Sequence, residues 1–262
     1  MMIIDPVAFQ IGKISVYWYG IIIASAVIIG LILILRESKK QGIDTEFFLD
    51  FIIIAIPVSI ISARIYYVIF RWDMYKMNIY RIFAIWEGGL AIHGAIIGGF
   101  LTLIYMTGKR KIALTRALDI LTPSVVLGQA IGRWGNFVNQ EAYGGIVSKD
   151  FINHFPQFIK EQMYINGNYY HPAFLYESLW DLSIFIILII SRRKKFIITG
   201  DLFFIYAILY SVGRYIIEGI RTDSLMIGGY RVAQLISILI IIICGGIIFW
   251  RHYIRPTDKE GS

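Results

Sequence analysis

The chain has 262 residues, of which 57% are hydrophobic and only 16% are charged. Soluble globular domains have about 45–50% apolar and about 25% charged residues, so this composition indicates a membrane protein. The net charge of +7 comes from short basic clusters between apolar runs, a pattern that is typical of membrane topology and not of a nucleic-acid-binding groove.

Seven apolar segments are long enough to cross a membrane as helices, which takes about 20 residues each. They are 15–35, 47–70, 88–107, 117–138, 173–191, 201–220 and 231–250. No basic region precedes the first segment and no small-residue cleavage site follows it, so we expect it to remain in the mature protein. The polar and aromatic stretch 140–171 lies between segments four and five. The sequence therefore predicts an all-α integral membrane protein, a single polytopic domain over 1–262 with 140–171 as a small extracytoplasmic cap.

The distribution of lysine and arginine predicts the orientation of the chain. One set of loops and the C-terminal end carries 14 basic residues: Arg36, Lys39, Lys40, Lys109, Arg110, Lys111, Arg116, Arg192, Arg193, Lys194, Lys195, Arg251, Arg255 and Lys259. The opposite side carries 8: Lys13, Arg71, Lys76, Arg81, Lys149, Lys160, Arg221 and Arg231. Because basic residues are enriched in cytoplasmic loops, the C-terminus is predicted in the cytoplasm and the N-terminus outside. The odd number of segments agrees, since it puts the termini on opposite sides.

Segment four carries a polar stripe inside an apolar helix. Gln129, Arg133, Asn136 and Gln140 recur at intervals of three and four residues, which places them on one helical face. A charged side chain at the centre of a bilayer costs about 2.5–3.5 kcal/mol, so such a residue normally faces a cavity or another helix. One interpretation is a buried polar network that holds two helices together. The other, which we favour, is a binding site for an anion.

Segment six repeats this pattern with Tyr206, Tyr210, Arg214 and Glu218 spaced four residues apart. The simplest alternative is an ion pair between Arg214 and Glu218, which contributes only a few tenths of a kcal/mol on an exposed helix. Two stripes, each centred on an arginine, favour a shared anionic pocket toward the outer half of the membrane. Guanidinium matches phosphate through two parallel hydrogen bonds.

Segment three places His93 beside Gly94 and Gly98, whose spacing allows close contact between helices. A lone histidine on a helix is either a packing residue or a proton-transfer group. His93, His154 and His171 do not have the spacing of a zinc site, so no metal is expected. The single cysteine, Cys244, excludes an intramolecular disulfide and is expected to be an inert packing residue.

Five sequence blocks resemble those of the prolipoprotein diacylglyceryl transferase family. The most specific is GRWGNFVNQE at 132–141, followed by Gly144. The others are WYG at 18–20, IHG at 92–94, HPAFLYE at 171–177 and RYIIEGIRTD at 214–223. The family often has a second glycine after the histidine and glycine of the IHG block, where this chain has Ala95. The resemblance covers nearly the whole chain.

This resemblance implies a seven-helix enzyme of the bacterial plasma membrane that needs no cofactor. Its donor would be phosphatidylglycerol, and its acceptor the lipobox cysteine in the signal peptide of a prolipoprotein. The products would be a thioether-linked diacylglyceryl precursor and glycerol phosphate. The two essential arginines of the family match Arg133 and Arg214. Its other important residues match Tyr19, His93, Asn136, Glu141, Gly144, Tyr210 and Glu218, and less closely Asp119.

The chemistry that the resemblance implies assigns a role to each group. Arg133 and Arg214 would hold the phosphate and stabilise the charge that grows on the leaving group. His93 would be the general base for the substrate thiol, whose pKa in solution is about 8.5. Glu141 and Glu218 would orient the arginines, while Tyr19 and Asn136 would bind the lipid head group. The substrate supplies the nucleophilic cysteine, so the enzyme needs none.

Two other functions fit some of these features. A lipid or anion transporter also uses intramembrane arginines, but no inverted repeat and no chain of acidic and histidine residues across the membrane is visible. A structural membrane scaffold would not need two arginines within its helices.

Overall fold

The computed structural model describes residues 3–222 and 224–254. Asp223 of the last sequence block and Arg255 and Lys259 of the last basic cluster lie outside the described residues. Within those residues, seven helices have 18 residues or more. They are α1 (Trp18–Lys40), α2 (Thr45–Phe70), α3 (Ile92–Arg110), α4 (Leu114–Val138), α5 (Ala173–Ser191), α6 (Asp201–Glu218) and α7 (Val232–Phe249).

Each predicted segment corresponds to one of these helices, but α1 and α3 begin three and four residues later than predicted. The first starts at Trp18 because Ile14–Tyr17 forms strand β2, which pairs antiparallel with β1 (Val7–Ile11) across a turn at Gly12. The third starts at Ile92 because Gly88 and Gly89 have φ values of 82° and 71°, which a right-handed helix does not contain.

Four helices have the length and composition of membrane spans: α1, α2, α5, and α7 together with the π-helical turn Trp250–Ile254. The chain is therefore a helical membrane protein. Helices α3, α4 and α6 are not among these four, and α4 and α6 carry the two polar stripes. That all seven helices cross the membrane stays a prediction.

The described residues form two compact units, and the single domain over 1–262 also stays a prediction. Unit 2 (Ile34–Ala117) contains α2 and α3, which pack closely through small residues. A Cβ atom added at Gly94 would lie 2.6 Å from Cβ of Tyr66, and one added at Gly98 would lie 2.7 Å from Cβ of Ser62. The contact predicted from the spacing of Gly94 and Gly98 is confirmed.

Arg64 on α2 is a buried cation that binds backbone carbonyls and has a structural role. Its guanidinium donates five hydrogen bonds of 2.6–3.2 Å to backbone carbonyls of Arg81, Ile82, Ala84, Gly88 and Gly89. It thereby fixes the turns at Ile79–Phe83 and Ile85–Glu87 that lead into α3. Backbone carbonyls are common partners for an arginine in this environment.

Unit 1 contains the rest of the described chain, 3–33 and 118–254. Between α4 and α5 it forms a small sheet of β3 (Ile146–Val147), β4 (Tyr164–Ile165) and β5 (Asn168–Tyr170), with β5 in the centre. Two short helices, Lys149–Ile152 and Gln157–Gln162, complete this segment. Buried Phe137, Ile152 and Phe174 join it to the adjacent ends of α4 and α5. That this segment is an extracytoplasmic cap stays a prediction.

Helices α5, α6 and α7 continue unit 1, with α6 packed against both α5 and α7. Strands β6 (Met226–Ile227) and β7 (Tyr230–Arg231) form a hairpin before α7. At Gly213 on α6, the Trp180 ring of α5 occupies the space that a larger residue's side chain would need. The Trp180 indole donates a hydrogen bond to the Leu209 carbonyl at 2.9 Å. This close contact brings the polar stripe of α6 next to α5.

Candidate functional site

The arginines of the two predicted stripes meet at one carboxylate, Glu177 on α5. Nε of Arg133 lies 3.1 Å from Oε2 of Glu177, and Nη1 of Arg214 lies 3.3 Å from Oε1. Nη1 of Arg221 lies 3.1 Å from the same Oε1. Only 6% of the Glu177 side chain is exposed. A buried charge must be compensated. Here one carboxylate is surrounded by three guanidinium groups, and the four form one charged cluster.

Glu218 holds Arg214 from the other side. Nη2 of Arg214 lies 2.8 Å from Oε2 of Glu218, so the ion pair considered from the sequence is present. This ion pair is only part of the environment of Arg214, since the same guanidinium also contacts Glu177 on another helix. The Oε2 atoms of Glu177 and Glu218 make these ion contacts without hydrogen-bond geometry, so both retain accepting capacity.

The contacts of the arginines leave part of each guanidinium accessible. About 20% of the Arg133 side chain and 27% of the Arg214 side chain are exposed. Among the described residues, Nη1 and Nη2 of Arg133 have no hydrogen bond or ion pair. A narrow cleft lies between Arg133 and Arg214, and it is lined also by Glu177, Trp180, Asp181, Tyr210, Gly213 and Ile217. Its polar groups suit an anion with several oxygen acceptors.

Aromatic hydroxyls extend the polar lining along α4 and α6. The Tyr206 hydroxyl donates to Oε1 of Gln129 at 3.0 Å, which joins the two predicted stripes directly. The Tyr206 and Tyr210 rings lie 5.7 Å apart, and Tyr210 lines the cleft. The two stripes therefore contact each other at Gln129 and Tyr206.

Glu177 and Asp181 on α5 were not among the predicted site residues. Both are buried, with 5% and 2% of the residue exposed, and Asp181 lines the same cleft. The signal was available, because two carboxylates spaced four residues apart interrupt an apolar segment. Glu177 also ends the HPAFLYE block. Glu177 lies on neither of the arginine-centred stripes, so the periodicity of segments four and six does not include it.

Asn136, Glu141, Tyr19 and Gly144 do not line the arginine cleft. Nδ2 of Asn136 donates to Oε1 of Glu141 at 2.9 Å, and both line a second, tightly packed recess with Phe137 and Phe174. A Cβ atom added at Gly135 would lie 2.6 Å from the Tyr19 ring, so the glycine on α4 makes room for that tyrosine.

Gly144 is a position of close backbone packing against His171 and Ile220. A Cβ atom there would lie 2.6 Å from Cβ of His171, and Gly144 forms a β-bridge with Arg221. Nδ1 of His171 lies 3.3 Å from the Tyr176 hydroxyl, and burial lowers the pKa of His171. Gly144 therefore fixes the chain next to Arg221 and presents no side chain to a ligand.

His93 belongs to unit 2, in the first turn of α3. Its ring stacks on Tyr66 of α2 with centroids 5.9 Å apart, and the side chain is exposed. Gly94 beside it holds α3 against α2. The role of His93 as a base stays a prediction.

Asp119, the less certain match, caps a helix in this structure. Its carboxylate accepts from the backbone N–H groups of Gly200 at 2.6 Å and Phe203 at 3.3 Å, at the start of α6. It lies 14 residues before Arg133 on α4, which corresponds to about 21 Å of helix. Within the described residues, no group of three or more His, Cys, Asp or Glu could hold a metal ion. Cys244 is buried, as expected for a packing residue.

Comparison with known proteins gives one consistent result. A profile described as prolipoprotein diacylglyceryl transferase matches residues 6–250. The chain is 55% identical over 251 residues to the phosphatidylglycerol–prolipoprotein diacylglyceryl transferase of Listeria innocua, with 95% of this chain and 90% of that protein covered. A protein of the same name from Halalkalibacterium halodurans is 51% identical over 250 residues, covering 94% and 86%. One from Bacillus velezensis is 49% identical over 260 residues, covering 98% and 96%.

Proposed function

This chain belongs to the prolipoprotein diacylglyceryl transferase family, and from that premise we propose that it transfers a diacylglyceryl group from phosphatidylglycerol to the cysteine thiol of a prolipoprotein. The observation that carries this proposal is the meeting of Arg133 and Arg214 at one cleft. The reaction forms a bond between the thiol sulfur and a glyceryl carbon of the lipid. The bond from that carbon to the phosphate oxygen breaks, and the thiol loses its proton. Glycerol phosphate leaves, and this transfer is the first step of lipoprotein maturation.

The two arginines bind the donor phosphate and stabilise the charge that develops as the carbon–oxygen bond breaks. Nη1 and Nη2 of Arg133 and the accessible part of Arg214 supply the donors. Glu177 and Glu218 hold both guanidinium groups in place before the lipid arrives. Donors that are positioned in advance in a dry site stabilise developing charge most effectively.

The remaining site residues bind the lipid head group, remove the thiol proton and position the backbone. Tyr210 lines the cleft and donates to the phosphate, while Tyr19 and Asn136 bind the glycerol of the head group, with Asn136 held by Glu141. His93 removes the proton of the incoming thiol, because a positioned imidazole can act as a general base. Gly144 keeps the chain beside Arg221 in place.

The proposed setting is the plasma membrane of a bacterium. All seven long helices cross it, with the N-terminus outside and the C-terminus in the cytoplasm, as the basic residues indicate. Residues 140–171 then form a cap outside, and the arginine cleft lies toward the outer leaflet. There it can meet both the lipid donor and the signal peptide that presents the lipobox cysteine.

The test is a transfer assay with purified protein, phosphatidylglycerol and a lipobox peptide. The peptide should become heavier by one diacylglyceryl group, and glycerol phosphate should appear in equal amount. A peptide in which serine replaces the cysteine should remain unmodified. A lipid transporter, the alternative suggested by intramembrane arginines, would move lipid between leaflets and leave both peptides unchanged. That result would refute the proposed function.

A further inference from the structure

Asp181 is a buried acidic group in the cleft to which the proposed mechanism gives no role. It lies on α5, one turn after Glu177, and only 2% of it is exposed. Among the described residues, its Oδ2 atom has no hydrogen-bond partner. An ionised carboxylate that is buried without a partner is costly, and protonation removes most of that cost.

The groups that face Asp181 come from three helices. Arg133 faces it from α4, and Glu177 precedes it on α5. Tyr206 and Tyr210 interact with it electrostatically from α6, and Arg214 lines the same cleft. The described structure shows no ion pair between Asp181 and Arg133, since the Nε atom of Arg133 contacts Glu177 instead.

The formal charges of this cluster are balanced only when the cleft holds no anion. Arg133, Arg214 and Arg221 contribute +3, and Glu177, Glu218 and Asp181 contribute −3 when all are ionised. A phosphodiester brings one further negative charge. In a poorly hydrated site, the cluster compensates for this charge most readily by binding one proton.

We propose that Asp181 carries a proton whenever an anionic phosphodiester occupies the cleft. This inference rests on the proposed function, since it takes phosphatidylglycerol as the occupant. Arginines contact Glu177 and Glu218 directly, whereas no ion pair reaches Asp181, so Asp181 is the carboxylate of this cluster that takes up the proton. A proton on Oδ2 converts an unpartnered acceptor into a donor for the phosphate or for a tyrosine hydroxyl. The proton returns to water after glycerol phosphate leaves.

The proposal predicts how donor affinity changes with pH. As the pH rises, Asp181 in the empty cleft loses its proton, and binding must then be accompanied by proton uptake. Affinity therefore falls with rising pH, by at most about tenfold per pH unit for one proton. The phosphodiester itself keeps one negative charge throughout, so it contributes no pH dependence.

The experiment titrates short-chain phosphatidylglycerol into the purified full-length protein from about pH 6 to about pH 9, which lies above the ordinary pKa of an aspartate. The wild type should bind more weakly at high pH, and a weakly buffered solution with an indicator dye should report uptake of close to one proton per lipid. Asp181→Asn imitates the protonated form, so its affinity should be nearly independent of pH. Asp150→Asn, at an exposed aspartate in the same unit, should behave as the wild type.

The outcomes separate the two proposals. If the wild type modifies the lipobox peptide but binds lipid with equal affinity and no proton uptake at every pH, Asp181 does not have this role and the transfer function stands. A parallel fall in affinity in wild type and Asp181→Asn would assign the proton to another group. If the wild type neither binds the lipid nor modifies the peptide, the proposed function itself is refuted. The dye measurement on wild type keeps the test valid if the Asn variant fails to fold.

Discussion

Replacing Glu177 by glutamine tests whether one carboxylate positions the arginines of the site. The substitution keeps the size of the side chain and removes its charge. It weakens contacts of 3.1, 3.3 and 3.1 Å to Arg133, Arg214 and Arg221. Removing one partner of a buried ion pair costs about 3–5 kcal/mol. Glutamine can still accept one hydrogen bond from an arginine. We therefore expect the free energy of unfolding to fall by an amount at the lower end of that range.

The substitution should lower kcat without raising KM for phosphatidylglycerol. A displacement of about 1 Å in a positioned group costs about 100-fold in rate, which corresponds to about 2.7 kcal/mol of activation free energy. At the same time, Glu177 competes with the donor phosphate for the same guanidinium groups. Its neutralisation should leave KM for phosphatidylglycerol unchanged or lower, a combination that indicates loss of transition-state positioning.

The assay is release of glycerol phosphate from phosphatidylglycerol and a lipobox peptide, with purified protein at matched concentration. Glu46→Gln, at an exposed glutamate, is the control for loss of a negative charge. Thermal unfolding in detergent separates a misfolded variant from a mispositioned one. If Glu177→Gln retains kcat within about threefold of wild type, the arginines do not depend on Glu177 and this account of the site is wrong.

Three further predictions address the arginines, the base and the topology. Arg133→Lys and Arg214→Lys should insert normally yet lose most glycerol phosphate release, because lysine keeps the charge without the planar fork; near-normal release from either would remove that arginine from the phosphate site. His93→Gln should lower turnover at least about tenfold while lipid binding persists, and a smaller effect would assign His93 to packing. Cysteines introduced at Lys149 and Lys194, in a Cys244→Ser background, should differ in intact cells: only the first should react with a membrane-impermeant reagent, and equal labelling would overturn the orientation.

The helices and the polar stripes could be predicted because both depend on local sequence. Apolar length indicated all seven helices, and residues four apart on α4 and α6 necessarily share a face. The hydrogen bond between Tyr206 and Gln129 confirms that the two faces meet. The first residue of a helix was less predictable where the geometry of the preceding turn determines it, as at Gly88 and Gly89 before α3.

The role of Glu177 could not be predicted because it arises from tertiary contacts. Periodicity shows which residues share a face but not which face of a third helix meets it. The sequence paired Arg214 with Glu218, four residues away, and this contact exists. The second contact, to Glu177 at a separation of 37 residues, depends on how α5 packs against α6. That packing depends on Gly213 and Trp180, whose close contact no local pattern reveals.

The arrangement at Glu177 explains how arginines can lie ready for an anion within a membrane protein. Bare guanidinium groups inside a membrane protein would be costly to bury, whereas a cluster of three arginines and three carboxylates is formally neutral. An incoming phosphate must then compete with a carboxylate or be compensated by a proton. Glu177→Gln removes one negative charge, so the cluster can take up a phosphodiester and remain neutral with Asp181 ionised. The same variant that lowers kcat should therefore also bind phosphatidylglycerol with little dependence on pH, which links the positioning of the arginines to the proton on Asp181.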